Sequence, residues 1–282
     1  MNIKLFFILN LLLSSIYSIN IYGINNVELQ KLLNKADSLK ASRKYIKALD
    51  IYNEALLITS KEKQMSNTSF IYKNIGLIYY KQRFYEEAKF NFKKSVVANT
   101  NTKNTADSYF NLTLIYRKQK IKDSLLWSLG KSLKIYNTLE DSSSKFSTYY
   151  KAGIIYKHLG MYNDAIRYLL LAYDGFKGNL SKRATVSYNI GSIQRTLGNF
   201  DIAEKYLKES LDLRNKLKDT LKISYAYNNL GNLYKDSEKY QSAIIYYKEA
   251  INLQKNLKKQ KEIGKMLSNL AATYFLTGKL DL

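Results

Sequence analysis

The sequence predicts an all-α fold built from antiparallel helix pairs, on three observations. The chain repeats itself: small residues stand at Ala36, Gly76, Thr113, Gly153, Gly191, Gly231 and Ala271, with successive differences of 40, 37, 40, 38, 40 and 40. Large apolar and aromatic residues recur three or four positions apart around each of them, which places them on one helical face. The 282 residues contain no proline, so nothing breaks a helix from within.

Three copies of the repeat are explicit. The segment 72–79, Tyr-Lys-Asn-Ile-Gly-Leu-Ile-Tyr, leads to Ala88, Phe92 and Ser95. Segment 149–156 leads to Ala165, Leu169 and Ala172, and segment 227–234 leads to Ala243, Tyr247 and Ala250. Weaker copies fill the series. Residues 109–116 precede Leu125, Leu129 and Ser132; Asn189, Ile190 and Gly191 precede Ala203, Leu207 and Ser210; Ala36 and Leu39 precede Ala48, Tyr52 and Ala55. Asn269, Leu270, Ala271 and Tyr274 open a seventh copy. The small residue of the first helix lets the second approach, and the alanine of the second makes the hole for the first helix's large side chains. Gly160 and Gly198 stand just past a helix end, where a left-handed residue stops it. Asn163, Asp164 and Asp201 follow, near the next helix start, where they satisfy free N–H groups. The residues beyond a minimal pair fall after the second helices, as at 61–67 and 138–144.

This pattern is similar to the signature of the tetratricopeptide repeat family: an aromatic, then Leu-Gly, then Tyr, then Ala, an aromatic and a small residue. The resemblance covers residues 27–282 and implies a right-handed superhelical solenoid with a concave inner face. Repeats fall at 28–60, 68–100, 105–140, 145–178, 183–217 and 223–257, with a partial copy at 263–282. The spacing exceeds the family's simplest period of about 34 residues. It resembles the longer repeats of kinesin light chains, spindle-orientation adaptors and bacterial peptide-pheromone receptors. The family's usual proline after the second helix is absent.

Composition excludes several chemistries. The absence of cysteine removes disulfides, thiolate metal sites and a cysteine nucleophile. The single histidine, His158, sits at a helix end before Leu159 and Gly160 and reads as a solvated or capping residue. Glu86 and Glu87 are neighbours on a helix, so their side chains diverge. No phosphate loop, metal cluster or serine-centred turn appears, so no catalytic residue, metal or cofactor is expected. Trp127, alone of its kind, is expected in the core or between helices.

The amino terminus carries Lys4 ahead of an apolar run from Leu5 to Leu13, then Ser14 and Ser15, the layout of a secretory signal peptide over residues 1–23. The chain is therefore expected outside the cytoplasm, periplasmic or secreted, or held at the membrane if the segment stays uncleaved. At the other end, a second helix is due where the chain stops, which leaves Leu267, Leu270 and Tyr274 without their cover. The array is then either truncated or capless and dimeric. Truncation is the leading expectation, and the resemblance then implies the sensor portion of a longer membrane-spanning protein with a kinase or DNA-binding output.

The candidate site is a binding surface. One position before the Leu or Ile of the first helix reads Asn74, Asn111, Asn189, Asn229 and Asn269, with Lys151 in the fourth repeat. In the resembled families this position faces the groove, where a column of amides holds a peptide main chain, donor and acceptor both available. Biased composition or bonding to neighbouring loops is the alternative. A second column reads Arg117, Lys157, Arg195 and Lys235, with Tyr80 before and Phe275 after. It is either a positive stripe for an acidic peptide or ordinary surface charge. The formal charge of +22 favours anionic partners in general. A protein or peptide partner is the leading expectation. Nucleic acid ranks below it, because no recognition helix or stacking platform is evident.

Overall fold

A computed structural model describes residues 26–61, 63–140, 142–257 and 260–278; the expected signal peptide lies outside them. Helices form where the apolar spacing predicts them, and no strand occurs among the described residues. The first helices of the pairs are α1 (Asn26–Ala41), α3 (Met65–Lys81), α5 (Lys103–Gln119), α7 (Ser142–His158), α9 (Leu180–Thr196), α11 (Thr220–Asp236) and α13 (Gln260–Leu276). The second helices are α2 (Tyr45–Lys61), α4 (Tyr85–Ala98), α6 (Lys122–Thr138), α8 (Tyr162–Gly175), α10 (Phe200–Lys216) and α12 (Tyr240–Asn256). The chain divides after Leu139 into two compact units, one holding α1–α6 and the other α7–α13. Within each unit every helix packs on the next, and the result is a tetratricopeptide-like stack of antiparallel pairs.

The pairs close through the small residues. A Cβ on Gly76 would lie 2.7 Å from Phe92 Cε1, and one on Gly231 would lie 2.6 Å from Tyr247 Cε1. Glycine is needed there because the partner ring occupies the space a side chain would take. Opposite them Ala48, Ala88, Ala165, Ala203 and Ala243 are fully buried, as are Phe92, Leu129, Leu169 and Tyr247. Each such large side chain contributes roughly 1.5–3 kcal/mol when taken from water. The third pair departs from the rule: Thr113 replaces glycine, and its Oγ1 meets Ser128 Oγ at 2.9 Å.

Of the segments after the second helices, much is taken up by helix, since α2 runs to Lys61, α3 begins at Met65, α6 runs to Thr138 and α7 begins at Ser142. Without proline or glycine in these segments, the additional residues lengthen helices instead of loops. Asp164 and Asp201 stand in first turns as expected, but α8 and α10 start at Met161 and Asn199 without a side-chain cap. Caps fall on first helices instead: Thr102, Asn179 and Asp219 each accept a backbone N–H three residues on. The turn inside each pair does end on a left-handed residue. Gly160 and Gly198 take φ of 73° and 78°, and Arg43, Arg83, Lys120 and Glu238 take the same turn without being glycine.

Trp127 is not in the core. It is 54% exposed on α6, and its indole meets the Tyr109 ring in a T-shaped contact. On α13, Leu270 is buried and Tyr274 half-buried, while Leu267, Ala271 and Phe275 are exposed.

Candidate functional site

The two polar columns lie on first helices. Successive first helices touch one another, α3 with α5 in the first unit and α7 with α9, α9 with α11 and α11 with α13 in the second. No pair of second helices approaches as closely among the described residues. Within each unit the first helices thus form a layer of their own, and the columns run across it.

The structure separates the asparagines into two kinds. Asn74 and Asn189 are buried, at 3% and 7% exposure, and Asn111, Asn229 and Asn269 are half-buried. Asn74 Nδ2 donates to the Phe70 carbonyl at 3.0 Å, and its Oδ1 accepts from Lys40 Nζ at 2.5 Å. Asn189 repeats this, donating to the Thr185 carbonyl at 2.9 Å and accepting from Lys157 Nζ at 3.3 Å. In both cases a lysine of the preceding first helix reaches the asparagine of the next. These two side chains are struts between repeats. Asn229 Nδ2 donates to the Tyr225 carbonyl at 2.7 Å, and Asn269 Nδ2 to Asn228 Oδ1 at 3.2 Å. The bond to the carbonyl one turn back fixes the amide's direction and leaves a second N–H.

Lys40 belongs to the cation column, four residues after Ala36 as Lys157 is four after Gly153, and sequence reading missed it. The spacing was the available signal. Its ammonium also pairs with Asp37 and reaches Tyr52 Oη at 3.2 Å, while Tyr52 donates to Asp37 at 2.5 Å. Burial, then the Asp37 hydrogen bond and charge, hold the Tyr52 hydroxyl far above its usual range.

Lys157 is the most constrained of the expected cations. It donates to Ser192 Oγ at 3.1 Å besides Asn189, and its ammonium lies 5.8 Å from the Tyr188 ring centroid. Burial, and then the charge of Arg195, push its pKa down. Arg195 and Lys235 flank one carboxylate, with Asp236 Oδ2 3.6 Å from Arg195 Nε and Asp236 Oδ1 4.0 Å from Lys235 Nζ. The stripe is therefore not uniformly positive. These pairs are partly exposed and contribute little to stability. Arg117 is exposed on α5, in the first unit.

Lys151, the residue that interrupts the asparagine column, is exposed on α7. With Tyr150, Phe176, Ser181, Lys182 and Thr185 it lines a cavity of about 240 Å³ between α7 and α9. The Lys182 ammonium lies 4.9 Å from the Phe176 ring centroid. His158 and Glu86 are exposed, and among the described residues no group of three His, Cys, Asp or Glu side chains is placed to hold a metal.

Family models of the tetratricopeptide repeat match residues 146–174 and 182–256, the same helix pairs that carry Lys157, Asn189 and Asn229. These stretches are tetratricopeptide repeats. Solved structures of similar fold resemble the chain over most of its length. The apo form of RapI is 14% identical, with 89% of this chain and 72% of that one covered and a TM-score of 0.70. A Rap protein complexed with Competence and Sporulation Factor is 17% identical, covering 91% and 73% with a TM-score of 0.54. BtubC from P. vanneervenii is 20% identical, covering 71% and 79% with a TM-score of 0.55. At such identities the tetratricopeptide likeness is one of fold. No curated protein matches the chain in sequence.

Proposed function

We propose that the chain is a non-enzymatic, exported scaffold that binds a protein or peptide along its layers of first helices. Contact between successive first helices, unmatched between second helices, supports a bend of each unit toward its first helices and so a concave face. The observation that carries the reading is the reach of Lys157 to Asn189 and Ser192. It joins the two columns of neighbouring repeats into one polar strip, where unrelated surface residues would point apart. Asn111, Asn229 and Asn269 offer amide groups to a ligand main chain, while Arg117, Lys157, Arg195 and Lys235 favour an extended segment rich in carboxylates. Asn74 and Asn189 keep the spacing between repeats. The Rap protein solved with a bound factor shows that a similar fold accommodates a ligand. Export rests on the residues 1–23 alone.

Peptides selected on the chain from a displayed random library test the surface. Asn229→Ala combined with Lys235→Glu is expected to weaken the selected peptides about tenfold or more, with the circular dichroism of the helices unchanged. Unchanged affinity would remove the first-helix layer as the binding face. A fused reporter that is active only outside the cytoplasm tests export.

A further inference from the structure

Trp127 is the chain's only tryptophan, and the fold leaves it half in water. Its ring meets Tyr109 edge-on, with centroids 5.5 Å apart and planes at 78°, and the Lys131 ammonium lies 5.8 Å from its centroid. Phe90 occupies the same register on α4, two residues after the buried Ala88 as Trp127 is two after Leu125. It is 59% exposed and has the Lys94 ammonium 5.5 Å from its ring centroid. Two neighbouring second helices of one unit thus each present an exposed aromatic ring with a lysine one turn on.

Between α4 and α6, with α5 as floor, lies a cleft of about 500 Å³ whose walls include Val96, Tyr109, Lys131, Lys134 and Ile135. Its lining holds two lysines and no carboxylate. Carboxylates enter only in the first turns of the two helices, as Glu86, Glu87 and Asp123. The surface is therefore aromatic and mixed in charge at one end, and basic at the other.

We propose that this second-helix side of the first unit docks an acidic protein segment that also carries a large apolar side chain. The segment's carboxylates meet Lys131 and Lys134, and its apolar side chain packs on Trp127 and Phe90. Charge complementarity selects an acidic occupant, and a pre-positioned indole gives it an anchor at little cost in side-chain entropy. A bilayer is flat and would meet only the crests of α4 and α6, leaving the cleft empty. A nucleic-acid backbone needs a continuous basic track, which Glu86, Glu87 and Asp123 interrupt. The surface lies on second helices, so a ligand on the first-helix layer leaves it free.

The lone tryptophan is its own reporter. The full chain is panned with a displayed random-peptide library, and the recovered peptides are counter-selected on Lys131→Glu/Lys134→Glu. Peptides kept by the native chain and lost by the variant are expected to carry Asp or Glu beside an aromatic residue or leucine. Their titration should shift Trp127 emission to the blue and shield it from acrylamide. Lys131→Glu/Lys134→Glu should bind them about tenfold or more weakly, and Trp127→Ala likewise, with helicity unchanged. If Trp127→Ala does not fold, the lysine pair and the emission shift carry the test. Recovery of no such peptide overturns the proposal. So does peptide binding that leaves Trp127 emission unchanged, an outcome that would leave the first-helix reading standing. A shift produced by phosphatidylglycerol vesicles or a single-stranded oligonucleotide, but not by peptides, also overturns it.

Discussion

Tyr247 on α12 donates a 2.6 Å hydrogen bond to Asn232 Oδ1 on α11, and both ends of that bond change together in four of the other five pairs. Tyr52 and Asp37 hold the same register in the first pair and make the same bond at 2.5 Å. Where the second helix instead carries Phe92, Leu129 or Leu169, the first carries Leu77, Leu114 or Ile154. The fifth pair differs, with Ser192 opposite Leu207, and there the Ser192 hydroxyl accepts from Lys157 instead. Tyr52 and Tyr247 are wholly buried, and a hydroxyl there needs an acceptor.

Breaking one side of this pair should cost more than replacing both. Asn232→Leu removes the acceptor of a buried hydroxyl and is expected to destabilise by about 1–3 kcal/mol. Tyr247→Phe should cost about 0.5–1.5 kcal/mol, the net value of the bond. The double variant should recover most of the Asn232→Leu loss. A double-mutant cycle by urea denaturation measures the coupling, and strictly additive losses would show that the pairing is incidental.

The glycines of the first helices are expected to respond to alanine according to what faces them. Gly76→Ala places its Cβ against Phe92 and should destabilise by about 1–3 kcal/mol despite the helix propensity gained. Gly264 in α13 has nothing within 4 Å of an added Cβ, so Gly264→Ala should stabilise by about 0.5–1 kcal/mol. Thermal denaturation should move the two in opposite directions, and a common direction would contradict the close approach at Gly76.

The turn inside each pair offers the reverse experiment. Glu238 takes φ of 61° where Gly198 takes 78°, seven residues after the small residue of its own repeat in both cases. Gly198→Ala is expected to cost about 1–2 kcal/mol, the penalty for a side chain in the left-handed region. Glu238→Gly should relieve a similar strain, partly offset by the greater freedom of the unfolded chain. Opposite shifts in denaturation midpoint would support this, and a stabilising Gly198→Ala would refute it.

Lys73 gives stability a pH dependence. Burial pushes its pKa below lysine's ordinary 10.5, against the attraction of Asp107 3.3 Å away. In the window between the folded value and 10.5, the unfolded chain binds a proton that the folded chain has released. Stability therefore rises with pH through that window, and the penalty is fully present below it. Lys73→Met should remove this contribution. The difference in denaturation midpoint between variant and native chain should shrink as the pH approaches 10.5. A constant difference would show that Lys73 is not held down by burial.

Much of the fold was legible because helix pairing is written locally. A glycine or alanine, the aromatic residues three and four positions away, and the alanine of the following helix all act within one repeat. The candidate site was legible only as columns. Position four after the small residue identified Arg117, Lys157, Arg195 and Lys235 and would equally have identified Lys40. Burial of Asn74 and Asn189 could not be read there, since it depends on a lysine about one repeat earlier closing over each amide.

The sequence by itself determined the helices, their pairing and the close contact at each small residue, because these follow from side-chain size and spacing along one segment of chain. Only the tertiary structure decided which polar side chains bind one another and which stay open. It also decided that Trp127 stands outside the core beside a basic cleft and that the chain forms two units. Those outcomes depend on how neighbouring repeats stack, where a side chain's exposure is set by residues more than thirty positions away in sequence.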